Sequence, residues 1–152
     1  MENLDRLCAE YGYKFADEVS KALGKKENET LKPNPQKAET LLTKALGVLQ
    51  EQGIYAFVLF CESRGTAEKS GAEKIKEISK ELLKNKLKLI NDGDLLEEIR
   101  KENGLASRLD GLMLAIQVLE KSLIYARYHA KAFSDSSEQA ESEQLQNIGE
   151  RG

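Results

Sequence analysis

An uninterrupted run of eight apolar residues, from Ile54 to Cys61, is the feature that most limits what this chain can fold into. It is far shorter than the roughly 18 apolar residues that a membrane-spanning helix needs. Its aromatic and β-branched residues would permit a β-strand, but a buried strand needs a partner for its backbone N–H and C=O groups. The closest candidate partner is the short alternation KLKLI, which begins at Lys86. We therefore predict that residues 54–63 form a short helix, buried on nearly all sides, as the central post of a bundle.

Apolar residues spaced three and four apart predict five further helices. Asn34 followed by Pro35 is typical of a helix N-cap and first helical residue, whereas the segment GKKENETLKPNP before the second helix is expected to be a loop. The fourth helix should stop near Asn85, since its continuation would place Lys86 on the apolar face. Asp92 or Asp94 should cap the fifth. The predicted helices cover residues 2–23, 35–52, 72–84, about 93–101 and 105–133.

Length and composition favour one compact all-α domain. A chain of 152 residues can bury a real core, and it is 32% charged and 40% hydrophobic with two prolines. Residues 1–133 are therefore predicted to form a single-domain helical bundle of about six helices. Residues 134–152 carry five acids and one base, a net charge of −4, so the rest of the chain sums to +1. This polar segment is expected to be a flexible acidic tail.

The sequence contains little that indicates catalysis. His129 is the one histidine, and Cys8 and Cys61 lie among apolar neighbours, where buried reduced thiols are expected. No glycine-rich phosphate loop, GxSxG or HExxH motif occurs. We therefore predict no catalytic residues, no cofactor and no metal site, and a protein that is not an enzyme.

Basic residues are the strongest candidates for a functional surface. Residues 64–88 hold eight bases and four acids. Within them, Lys76, Lys80 and Lys84 each follow a glutamate by three residues, which is typical of a solvated, ion-paired helix face. Other bases lie at helix ends or on the polar side of the last helix. A phosphate backbone could be contacted by four of these residues: Arg64, Lys84, Arg108 and Lys121.

Three stretches, in this order, resemble one protein family. They are LCAEYGYKFADEV (7–19), LGVLQEQGIYAFVLFCESRG (46–65) and LASRLDGLMLAIQVLEKSLIYA (105–126). Together they are similar to the small helical subunit of the Cmr-type (type III-B) CRISPR complex. In the second stretch, Gln52-Gly53-Ile54 takes the place of the family's turn, Phe57 and Phe60 that of its apolar helix, and Arg64 that of its terminal basic residue.

The resemblance implies a non-catalytic subunit of a cytoplasmic antiviral complex. Copies of such a subunit stack beside larger subunits that hold the guide RNA, and help to line the groove for the guide–target RNA duplex. The implied partners are other effector subunits, the backbones of guide and target RNA, and copies of the chain itself, with no membrane. Specificity would come from base pairing, and protein contacts would go to backbone and shape.

Two alternatives remain open. One is a helical protein-binding adaptor with no role in nucleic-acid binding, and the other is an enzyme with dispersed catalytic residues. The first alternative is distinguished by whether Arg64, Arg108 and Lys121 converge on one face. A pocket lined by acids with shifted pKa values would favour the second.

Overall fold

The computed structural model describes residues 3–150 and the side chains of residues 3–136. Within this range the chain folds into six α-helices and one two-stranded hairpin, which confirms the predicted all-α bundle. The elements are α1 Leu4–Ala22, β1 Lys25–Glu27, β2 Thr30–Lys32, α2 Pro35–Gln52, α3 Ile54–Glu62, α4 Lys69–Glu81, α5 Leu95–Arg100 and α6 Leu109–Glu150.

The long helix α6 packs most extensively against α1 and α2. The crossing of α1 and α6 is very close at Gly12, where an added Cβ would lie 2.5 Å from the Cβ of Tyr125. Facing apolar stripes then fill the interior. Phe15 and Leu119 are among the fully buried side chains. Burial of these stripes supplies the main driving force for folding.

The apolar run forms the predicted helix, α3, but α3 is not the central post. Ile54, Phe57, Val58 and Cys61 are buried, whereas Leu59 is 45% exposed. The helix packs on α2, α4 and α5. Gly53 joins α2 directly to α3 at φ 93°, a conformation that glycine adopts without strain.

A short antiparallel hairpin occupies the segment that was expected to be a loop. Its register pairs Lys25 with Lys32 and Glu27 with Thr30. Asn28 and Glu29 form the two-residue turn, both at positive φ (50° and 67°), as the twist of a hairpin requires. Immediately after the hairpin, the Asn34 side chain accepts a hydrogen bond from the Lys37 N–H, so the predicted cap of α2 is confirmed.

Residues 82–108 are the irregular part of the fold. The helix α4 widens at its end into a π turn, Leu82–Lys86, which allows both Leu82 and Leu83 to be fully buried. The helical segment ends at Lys86, within one residue of the predicted end near Asn85, but α4 starts at Lys69 and not at residue 72. Further on, Asp94 and not Asp92 caps α5, by accepting from the Glu97 N–H.

The last helix differs from its prediction at both ends. Residues Leu105–Ser107 form a 3₁₀ turn, so α6 begins at Leu109 and not at residue 105. Its backbone continues to Glu150, past the predicted end at Phe133. At the other end of the chain, Asn3 caps α1, so that helix begins at Leu4. The tail side chains from residue 137 onward lie outside the described side chains, and the expectation of a flexible tail stays a prediction.

Candidate nucleic-acid interface

Arg64 lies at the C-terminal end of α3 and is engaged by its own surroundings. Its Nε donates a hydrogen bond to the Phe60 carbonyl (3.1 Å), and its guanidinium lies 3.9 Å from the centroid of the Phe60 ring. The Glu68 carboxylate is 3.9 Å away. The Phe60 carbonyl also accepts from the Ser63 N–H and hydroxyl, and a cation at this position complements the helix dipole. The side chain is 27% exposed, so only part of it faces solvent.

Lys121 joins the middle of α6 to the first turn of α1. Its Nζ is 2.6 Å from the Asp5 carboxylate, which also accepts a hydrogen bond from the Tyr125 hydroxyl (2.7 Å). The hydrogen bond with Lys121 lowers the pKa of Asp5, and the same bond raises the pKa of Lys121. Both side chains are solvent-accessible, so this pair contributes little to stability.

Lys84 and Arg108 both contact the loop that follows the π turn. The Lys84 Nζ is 3.0 Å from the Asp92 carboxylate, and this hydrogen bond is the main cause of the lowered pKa of Asp92. From the other side, Arg108 donates through Nη2 to the Leu89 carbonyl. The structure thus brings two of the four predicted residues to one short loop, residues 87–94.

The other two residues do not join them on one face. Arg108 and Lys121 are thirteen residues apart around the start of α6, which corresponds to about 20 Å along the axis and about 220° of rotation. The described contacts of Arg64 are with Phe60, Ser63 and Glu68. Within the described chain, one face is therefore not shared by Arg64, Arg108 and Lys121. Such a shared face is the feature that would distinguish RNA binding from a pure adaptor role.

A cleft of about 230 Å³ lies beside the contacts of Arg108. We call it the basic cleft; it is lined by Lys88, Asn91, Glu98, Lys101 and Arg108, among others. Three cations and one carboxylate give this set a formal charge of +2. Such a sector can bind an anion even on a body that is close to neutral.

Glu98 organises the floor of the basic cleft. It is 6% exposed, and its carboxylate accepts from the Asn91 N–H and from Lys101 Nζ. The hydrogen bond with Lys101 is the largest cause of the lowered pKa of Glu98, and the bond from Asn91 is the next. Both carboxylate oxygens therefore have donors.

Two residues at the rim adopt left-handed backbone conformations. Lys88 has φ 55° and Asn103 has φ 60°. Asparagine tolerates this region better than lysine does, so Lys88 carries the larger strain. π turns and strained backbone occur often at functional sites, and here they fix the direction of the chain around the loop of residues 87–94.

Three lysines of α4 and the π turn pair across elements, whereas Lys74 pairs with Glu77 along α4 itself. Lys76 contacts Glu62 of α3, while Lys80 and Lys84 lie 3.9 and 3.0 Å from Asp92. The glutamates three residues before them were the predicted partners. The cross-element pairs hold the loop of residues 87–94 against the end of α4.

The remaining chemistry of the described chain is sparse. Among the described residues, no group of three or more His, Cys, Asp or Glu side chains is placed to hold a metal ion. His129 lies beside the Tyr13 and Phe133 rings. Cys8 and Cys61 are buried free thiols, and burial raises the pKa of Cys61 to about 12, which suppresses its reactivity.

Comparison of the chain with family models, curated proteins and solved structures gives no match. No helix in the described part of the chain is long and apolar enough to span a membrane.

Sequence reasoning missed Lys88 and Lys101 as parts of a common site. Lys88 was noted within the basic segment 64–88, but its position opposite Arg108 depends on the π turn and on the loop. Lys101 was taken as the end of a helix. The available signal was the series Lys84, Lys86 and Lys88, which has no intervening acid.

Proposed function

We propose that this chain is a non-catalytic small subunit of an RNA-guided CRISPR effector complex of the Cmr type. In this proposal it stacks with copies of itself beside the larger subunits and helps to hold the guide–target RNA duplex. The resemblance of three ordered segments supports it, and so does the observed all-α bundle, which is the fold that the resemblance implies.

The observation that carries the RNA-binding part is the basic cleft beside the loop of residues 87–94. Lys88, Lys101 and Arg108 line one concave surface, and Lys84 contacts the same loop. Cations at a concave surface suit a sequence-independent contact with phosphate oxygens. Because the body of the protein carries a net charge of only about +1, neighbouring subunits would supply most of the remaining field.

The positions of Arg64 and Lys121 assign them a smaller part in this proposal. Like Lys84 and Arg108, each is already bound to groups of its own chain, but their described contacts lie away from the loop of residues 87–94. Their contact with RNA stays a prediction from the sequence.

A protein-binding adaptor without an RNA role is the second candidate. Leu109 and Met113 are 69% and 51% exposed and lie four residues apart on α6, so they share one face. Exposed large apolar side chains that are adjacent on a helix are typical of contacts with another protein. Such a contact is also required in the first proposal, so this observation alone does not separate the two.

Affinity purification of the tagged chain from its native cell tests the proposal, with both the co-purifying proteins and the RNA identified. The proposed function predicts large effector subunits together with short RNAs of defined length that carry a common repeat-derived segment. Recovery of proteins without RNA, unchanged by prior nuclease treatment, would establish the adaptor instead.

A further inference from the structure

A second and larger cleft lies at the opposite end of α1 from its capped N-terminus. Its volume is about 700 Å³, within the range of small-molecule sites. It lies between α1, the hairpin, the start of α2 and α6. We call it the hairpin cleft; its lining includes Tyr13, Ser20, Lys25, Lys32, Asn34 and Phe133.

Ser20 gives the first indication that this cleft takes a ligand. The residue is 2% exposed, and its hydroxyl has no hydrogen-bond partner within the described chain. A buried hydroxyl without a partner is costly and uncommon in native proteins. Because Ser20 lines the cleft, a polar group of a ligand seated there could supply the missing bond.

One wall of the hairpin cleft is aromatic. Tyr13 is 52% exposed, and its ring meets the Phe133 ring edge to face at a centroid distance of 6.0 Å and an angle of 87°. His129 supports Tyr13 from behind in a similar geometry, at 5.6 Å. Because the two rings are perpendicular, a planar heterocycle at the edge of the cleft can stack on one of them and meet the other edge to face.

The other wall is basic. Lys25 and Lys32 are directly opposed in the antiparallel hairpin, so their side chains lie on the same face. Two cations on one face can both approach the same phosphate group. The N-terminus of the 18-residue helix α2, capped by Asn34, adds its positive dipole end.

Two acids also line the hairpin cleft, Asp17 and Glu27. The Asp17 carboxylate is 3.0 Å from Lys21 Nζ, which offsets its charge. Glu27 lies next to the turn, one register position beyond Lys26 and paired with Thr30. An anion is therefore favoured at the Lys25–Lys32 end of the cleft and disfavoured near the turn.

We propose that the hairpin cleft binds a nucleotide. The base stacks on Tyr13 and meets the Phe133 ring edge to face, a polar group of the base or sugar bonds to the Ser20 hydroxyl, and the phosphate lies between Lys25 and Lys32. The inference rests on this cleft alone and does not depend on the proposed function or on the basic cleft. The nucleotide could be free or a residue of an RNA strand, and the test separates the two sources.

The test is a titration of the ¹⁵N-labelled full chain, followed by amide chemical shifts, with four probes. They are AMP, hexa-adenylate RNA, ribose 5-phosphate and adenosine. We expect shifts around residues 13, 20, 25 and 133, with AMP binding more tightly than either half of it. Stronger binding of the hexanucleotide at the same residues would identify an RNA strand as the source.

Four single variants sharpen the assignment. Lys25→Gln and Ser20→Ala should each weaken binding about 5- to 10-fold, and Tyr13→Ala about tenfold or more. Lys26→Gln is the matched control, because Lys26 opposes Leu31 on the other face of the hairpin and should leave binding unchanged. Ser20→Ala should not lower Tm, since it removes an unpartnered hydroxyl, so a loss of binding in this variant cannot be attributed to unfolding.

Three results would overturn the proposal. The first is no shift at these residues with AMP or with the hexanucleotide. The second is equal affinity for ribose 5-phosphate and AMP, which would show that the base is not recognised. The third is an equal loss of binding in Lys25→Gln and Lys26→Gln, which would show that only general charge is sensed.

Discussion

The pair α1–α6 and the segment of residues 82–108 are built on different principles. The helix pair is regular, and its closest approach is set by Gly12 against Tyr125. The segment instead contains a π turn, two residues in left-handed conformations and a buried carboxylate held by Lys101. Apolar spacing dictates the first region, whereas individual polar contacts dictate the second. We infer that the helix pair provides most of the stability and that the segment provides the charged surface.

The largest expected effect comes from truncating a buried side chain in the interior of the helix bundle. Phe15 on α1 is fully buried, so Phe15→Ala should lower the free energy of unfolding by about 3–5 kcal/mol. The matched control is Leu59→Ala, an exposed apolar residue of α3, which should cost less than about 1 kcal/mol. Urea denaturation followed by circular dichroism measures both. Similar losses in the two variants would contradict the assignment of the core to the α1–α6 region.

Two glycine-to-alanine substitutions test the close crossing of α1 and α6. Their expected effects on stability are smaller and have opposite signs. Gly12→Ala would place its Cβ 2.5 Å from the Tyr125 Cβ and 3.0 Å from the Ser122 carbonyl oxygen, so we expect a loss of about 1–3 kcal/mol. Gly47→Ala, in α2, meets no atom within 4 Å and should stabilise the protein by about 0.5–1 kcal/mol. Thermal unfolding of both variants distinguishes a packing effect from helix propensity. Stabilisation by Gly12→Ala would show that the crossing is wider than described.

A pH-dependent effect tests the second region. The pKa of Glu98 is lowered in the folded chain from an ordinary value of 4.5, chiefly by Lys101. The stabilisation from its charged form is therefore present above about pH 4.5 and is lost as pH falls through the lowered folded-state pKa. Glu98→Gln should reduce stability at about pH 7, and its deficit relative to wild type should shrink at about pH 3. Denaturant titrations at the two pH values provide the measurement, and Glu97→Gln on the exposed side of α5 is the control. A deficit that does not change with pH would rule out the charged contact.

The regular region could be predicted from the sequence because its determinants are local. The spacing of apolar residues gave α1, α2 and α6, and Asn34–Pro35 gave the start of α2 to the residue. The apolar run was identified as helical because no strand partner was found. Its place at the centre was wrong, because burial depends on which neighbours cover a helix. Leu59, within the run, is left exposed.

The irregular region could not be predicted in the same way. The π turn forms where Leu82 and Leu83 both become buried. Their burial depends on packing against the rest of the bundle, which intrinsic helix propensity does not encode. The hairpin was missed because its turn is Asn28-Glu29, without the glycine that is typical of such turns. Two of the four residues predicted for the candidate surface, Lys84 and Arg108, do contact one loop. Arg64 and Lys121 are bound elsewhere, and their partners are either distant in the sequence or not indicated by a clear sequence pattern.

The central claim, that residues 82–108 provide the anion-binding surface, is tested most directly by target-RNA binding across a salt series. The assembled complex would be prepared with wild-type chain, with Lys84→Ala/Arg108→Ala, and with Arg64→Ala and Lys121→Ala separately. The double variant should weaken binding alike on unrelated target sequences, and each lost contact to single-stranded target should flatten the salt slope by about 0.7. The two single variants should change affinity less, because the described contacts of those side chains lie away from the loop of residues 87–94. Unchanged affinity and slope in the double variant, with assembly intact, would contradict the account.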